Sequence, residues 1–153
     1  MTLYYLDSTA WLQYYIRQTG SDTVAAFFTP STILACSSFG LTEIVVALSR
    51  MAYSGTISHE DLAQKIHDVQ NDWTQFLQVH LSSRLTKLIE SVALKHNLSS
   101  ERTLHLASAI LVREHVQRSG LDIQTHFASA DTELLNVAVR YDFTPIDVSA
   151  QAL

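Results

Sequence analysis

The chain has 153 residues, 47% of them hydrophobic and 16% charged, with four glycines and two prolines, the make-up of one globular domain with a sizeable core. A net charge of −5 excludes a broad basic surface, so a nucleic-acid partner has to be held by local Arg and Lys clusters or through bound metal. A single cysteine, Cys36, excludes an internal disulfide and a cysteine-built metal cage. With no signal peptide and no apolar run near membrane-span length, the expectation is a soluble, cytoplasmic protein without a membrane partner.

In chain order, Tyr4-Tyr5-Leu6 reads as a short buried strand ending on Asp7. Ser8 or Thr9 caps a helix predicted from about Ser8 to Gln18, which Gly20 stops. Trp11, Tyr14 and Tyr15 on it are aromatics at helical spacing, which point to core or dimer interface. Ser21 or Asp22 caps a second short helix through Phe28, broken by Pro30. Thr32 to Cys36 is a second strand, and Ser37-Ser38-Phe39-Gly40 punctuates before a helix from Leu41 to Ala52.

Ser58-His59-Glu60-Asp61 resembles a capping box and opens a helix to about Phe76. Leu77 to Leu81 alternates as a third strand, and Ser82 or Ser83 caps a helix to about His96-Asn97. Ser99 or Ser100 opens the next helix, on to about Arg118, whose Ala107, Ser108 and Ala109 suit close packing on a sheet. Ile123 to Phe127 gives a fourth strand, Ser129 to Leu135 turns into a helix, and Thr144 to Val148 makes a short edge strand containing Pro145. Strands alternating with helices predict one α/β/α domain over residues 1–153 with parallel pairing.

Three acids fall at strand exits: Asp7 after the first strand, Glu43 in the helix after the second and Asp131 after the fourth. Taken singly, Asp7 is a helix cap and Glu43 a first-turn acid favoured by the helix dipole. Together they offer hard oxygen ligands along the sheet edge where open α/β folds bind ligands, with Asp7 at the lip. Such a set suits Mg²⁺ or Mn²⁺, which activates water and offsets charge on a phosphodiester.

Four segments then resemble the successive motifs of PIN domains: Leu6-Asp7-Ser8-Thr9-Ala10, Leu41-Thr42-Glu43-Ile44, Leu104-His105-Leu106-Ala107-Ser108-Ala109 and Ser129-Ala130-Asp131-Thr132-Glu133-Leu134. They are most similar to the VapC-type toxin ribonucleases of toxin–antitoxin pairs, in the same order over nearly the whole chain. The resemblance implies a three-layer α/β/α PIN-like domain with a twisted, mainly parallel sheet of four to five strands. It also implies RNA cleavage with Mg²⁺ or Mn²⁺, a homodimer, and a cognate antitoxin seated in the active-site groove. Asp7, Glu43 and Asp131 match family acids and are the candidate catalytic and metal residues. Ser129 matches a usual Ser/Thr, and Ser8, Arg102 and Ser129 are the candidate substrate contacts.

One position departs from the family pattern. Three residues before His105, where the family has an Asp, stands Arg102. Glu101 is adjacent but turned by about 100° around the helix, so it reaches a metal only by a detour. Arg102 is expected either to pair with Asp7 or Asp131 in the place of a metal or to contact RNA phosphate bidentately. His105 is expected to pack in the helix–sheet interface. The leading expectation is a metal-dependent ribonuclease; the alternative is a PIN-fold protein that binds RNA or protein without cutting. An unrelated α/β enzyme is disfavoured, because Thr9 stands where a dehalogenase-type phosphatase needs a second Asp, and the acids and Lys of a phosphoaspartate receiver are missing.

Overall fold

Alternation in the first strand, β1 (Thr2–Leu6), sends Leu3 and Tyr5 into one apolar layer and Tyr4 and Leu6 into the other. A strand covered on both faces in this way lies inside a sheet. In the computed structural model, which describes residues 1–150, β1 is the central strand. Residues 151–153 of the expected domain lie outside the described residues.

The remaining elements follow as α1 (Ser8–Trp11), α2 (Ser21–Ala25), β2 (Thr32–Ser37), α3 (Ser38–Tyr53), α4 (His59–Trp73) and β3 (Leu77–Val79). Then come α5 (Ser83–Lys95), α6 (Ser100–Arg118), β4 (Gln124–Ser129), α7 (Thr132–Ala138) and β5 (Thr144–Asp147). The five strands lie in the order β3-β2-β1-β4-β5, and every neighbouring pair is parallel. The chain winds outward from β1 through β2 to β3, then restarts on the far side of β1 with β4. The carboxyl ends of β1 and β4 therefore flank the topological switch point, where such sheets hold their ligands.

Two apolar layers sandwich the sheet. One contains Leu85, Val92, Leu106, Ile110, Phe127 and Leu134 from the α5, α6 and α7 side. The other contains Trp11, Val24, Ile44, Leu48, Val69 and Phe76 from the α1 to α4 side. Trp11 is fully buried and stacks on Trp73 at 5.7 Å, which places it in the core as its spacing predicts. Pro145 sits in β5, an outer strand of the sheet, as expected of a residue without an N–H donor. Among the described residues no helix is long and apolar enough to cross a membrane.

The structure corrects several boundaries. The α-helix expected over Ser8–Gln18 ends at Trp11, followed by one 3₁₀ turn over Leu12–Tyr14. Tertiary bonds hold the chain there: Gln13 is turned inward to accept from the Gly20 N–H at 2.8 Å. Tyr15 in turn accepts from the Trp11 indole and donates to Asp72. Helix α3 begins at Ser38, not Leu41, because the Ser37 hydroxyl accepts from the Gly40 N–H and caps it. Glu43 is thus in the second turn of α3 and not its first. Strand β4 runs on to Ser129, and β3 stops at Val79.

Gly40 lies inside α3 for lack of space, not for its turn chemistry. A methyl group there would overlap the Cys36 sulfur and stand 3.1 Å from His105 Cε1. Cys36 is fully buried, and burial pushes its thiol well above the usual range, so it acts as an inert apolar filler. Helix propensity favours alanine over glycine by about 1 kcal/mol, but overpacking a closed core costs about 1–3 kcal/mol. The Gly40→Ala variant is therefore expected to lose about 1 kcal/mol net in chemical denaturation. Unchanged or raised stability would show that the contact relaxes freely.

Candidate active site

Asp7 follows β1 directly, and the parallel pairing of β1 with β4 sets it beside the end of β4: its N–H donates to Ala128 O at 3.2 Å. The carboxylate is not at a lip. It is only 2% exposed, at the floor of the switch point. One oxygen accepts from the Ala10 N–H at 3.0 Å, capping α1, and from the Thr9 hydroxyl at 2.7 Å. The other accepts from the Ser129 hydroxyl at 2.5 Å. Capping and site-building are thus the same act, so the choice between them that the sequence poses does not arise.

Burial pushes the Asp7 carboxyl above its ordinary value; nearby His105, the Ser129 and Thr9 hydroxyls and the Ala10 N–H oppose that without cancelling it. Ser129 Oγ also accepts from the Asp131 N–H at 2.9 Å, and Thr9 Oγ1 accepts from the Ala130 N–H at 2.8 Å. The turn after β4 is therefore strapped to the turn after β1 by two hydroxyls.

Glu43 is partly buried on α3 and pairs with His105 Nε2 at 2.6 Å. On the far side of the ring, Nδ1 meets the Tyr5 hydroxyl at 3.0 Å. A carboxylate only accepts, so a neutral His105 must carry its proton on Nε2 and take the Tyr5 proton at Nδ1. A chain from β1 through α6 to α3 results, and it fixes the Glu43 carboxylate. His105 is 3% exposed, so it does lie within the helix–sheet interface.

Asp131 caps α7, accepting from the Leu134 N–H at 3.2 Å. Its other oxygen accepts from Arg102 Nε at 2.5 Å, and Arg102 Nη1 donates to Glu133 at 2.8 Å. Of the expected partners of Arg102, the structure selects Asp131 and adds Glu133. Glu101 is exposed and enters none of these bonds, and Ser8 is half-buried beside them without joining. From the sequence Tyr5 and Glu133 had no site role, and Thr9 or Ser8 was expected to cap the first helix, a cap that Asp7 makes instead. Their roles depend on which strands adjoin; the one available hint was Glu133 two residues after Asp131.

The cluster does not fit a divalent ion as it stands. Among the described residues, no three His, Cys, Asp or Glu side chains form a group able to hold a metal. The acids sort instead into separate partnerships: Asp7 with hydroxyls, Glu43 with His105, and Asp131 with Arg102.

No family model matches the chain. Ribonuclease VapC45 from Mycobacterium tuberculosis is 26% identical over 112 residues, which span 73% of this chain and 78% of that protein. Among solved structures, VapBC2 from Rickettsia felis, bound to a promoter DNA fragment, superposes with a TM-score of 0.62 at 10% identity, over 89% of this chain and 92% of its counterpart. VapBC-1 from nontypeable Haemophilus influenzae gives 0.61 at 10% identity, over 97% of this chain and 100% of the other. The chain is VapC-like, with a PIN fold. Its five-stranded parallel sheet and flanking helices are that fold, and Asp7 lies at the PIN sheet's switch point.

The raised value of Asp7 carries a sign. The folded chain holds this proton more tightly than the unfolded chain. Its contribution to stability is complete below the ordinary carboxylate value of 3.8 and is lost as pH rises through the raised one. In buffer containing a chelator, the stability of the unaltered chain relative to Asp7→Asn is expected to rise as pH falls from neutral toward about 4. A difference that stays flat across that window would mean that the hydroxyls fully offset burial.

Proposed function

We propose that the chain is the toxin of a toxin–antitoxin pair and hydrolyses RNA phosphodiesters at the sheet edge formed by Asp7, Glu43 and Asp131. The observation that carries this is the setting of those acids. Asp7 and Asp131 follow the carboxyl ends of the paired strands β1 and β4, and Glu43 is tied through His105 to Tyr5 of β1, in a VapC-like chain whose relative bears the name ribonuclease. The fold's occurrence in VapBC complexes supports an antitoxin as partner. On this reading the protein works in the cytoplasm and as a homodimer. Phe39, Val46 and Tyr53 on α3, exposed by 36%, 49% and 86%, are apolar surface that an assembly would cover.

The chain's own residues can do part of this chemistry. Glu43, anchored by His105, is a fixed carboxylate able to take a proton from an attacking water. Ser129 and Thr9 hold Asp7 in one rotamer under a polar floor. Arg102 Nη2 stands outside both ion pairs and is a cationic donor for an RNA phosphate. Mg²⁺ or Mn²⁺ is the cofactor proposed for these acids, where it would offset phosphate charge. Asp131 is open to it only once Arg102 has let go.

One observation favours a second reading, a PIN-fold protein that binds RNA or protein without cutting: the 2.5 Å Arg102–Asp131 pair. Incubating the purified chain with structured RNAs and Mg²⁺ or Mn²⁺ distinguishes the two. Cleavage that a chelator abolishes and Asp7→Ala lowers by about 100-fold or more is the expected result. RNA retained by the protein but left intact at every metal concentration would establish the second reading.

A further inference from the structure

Arg102 is the third residue after the start signal of α6, next to the cap made by Ser99. A cation there faces the positive end of the helix dipole, an unfavourable place by itself. It is held by two carboxylates from the other side of the switch point, Asp131 at 2.5 Å and Glu133 at 2.8 Å. With its second oxygen capping α7, Asp131 has both oxygens engaged by the protein. The guanidinium stays charged at every working pH, and its fork matches carboxylates better than a point charge does.

We infer that Arg102 is the resident cation of the acid cluster: its guanidinium takes the charge-compensating place on Asp131 and keeps a divalent ion from binding there. The inference rests on the reading of these acids as the reaction site and adds how access to that site is controlled. Cation uptake by Asp131 requires the guanidinium to leave, and a competing anion such as an RNA phosphate is the chemical species able to draw it away. In the unaltered protein, free of RNA, Asp131 already holds a cation that the chain itself supplies.

The test is titration of Mn²⁺ alone, followed by calorimetry and by the electron paramagnetic resonance of the free ion. It is run on the unaltered chain, Arg102→Gln, Arg102→Asp, and Arg102→Asp combined with Asp7→Asn. Arg102 is a third exposed, so these chains are expected to fold, with circular dichroism as the check. Both single variants should bind Mn²⁺ about ten-fold or more tighter than the unaltered chain, Arg102→Asp the tighter, and the double variant should lose that gain. Equal affinity in the unaltered chain and Arg102→Gln would overturn the inference. So would a gain that survives Asp7→Asn, or no binding by any folded variant. Parallel RNA digestion separates the two ideas. Variants that bind Mn²⁺ tightly while no chain cuts RNA would sink the ribonuclease reading alone. An unaltered chain that cuts RNA and binds Mn²⁺ as tightly as Arg102→Gln would sink this one alone.

Discussion

A carboxylate with 2% of its surface exposed can exist in this fold only because the fold supplies its hydrogen bonds. Asp7 takes them from an N–H of α1, from Thr9 and from Ser129 at the end of β4. These bonds tie the two central strands together where the winding of the sheet reverses. Without them the carboxyl ends of β1 and β4 would carry an unsatisfied buried acid. The turn that delivers Asp131 is strapped to the same hydroxyls. The position of Asp131 therefore depends on how Asp7 is satisfied.

From that floor the other acids are compensated in two directions. Toward α3, Glu43 is paired with His105, and His105 with Tyr5, so a buried polar chain crosses from the sheet to both helical layers. Toward α7, Asp131 and Glu133 close on Arg102. Both arrangements engage carboxylates with groups that the chain itself carries, a ring N–H for Glu43 and a guanidinium for Asp131 and Glu133. The fold is that of VapC-type proteins, while the cation at one corner is an arginine side chain. A guanidinium compensates negative charge but cannot activate water as a Lewis acid.

The layers on either side of the sheet do different work. The α5–α7 layer is tightly apolar and delivers Arg102 and His105 from a single helix. Packing is close in α3, where Gly40 passes against Cys36 and His105 and allows the helix to start early enough to carry Glu43 inward. On the outer surface of that helix Phe39, Val46 and Tyr53 remain uncovered.

Alternating strands and helices, the Ser caps of α4, α5 and α6, and the edge position of the Pro145 strand were all readable from the residues, because periodicity and capping are local chemistry. So were Asp7 and Asp131 at the exits of β1 and β4 and the anomaly at Arg102, whereas Glu43 proved to lie in the second turn of α3. The sequence could not show that α1 stops at Trp11, since Gln13, Tyr15, Gly20 and Asp72 meet only after folding. Nor could it choose between Asp7 and Asp131 for Arg102, or bring in Glu133, Thr9 and Tyr5. Residue types and spacing decided which charges this chain carries to one end of its sheet. Strand order alone decided which of them touch, because β1 and β4 are neighbours in space and 122 residues apart between Asp7 and Ser129.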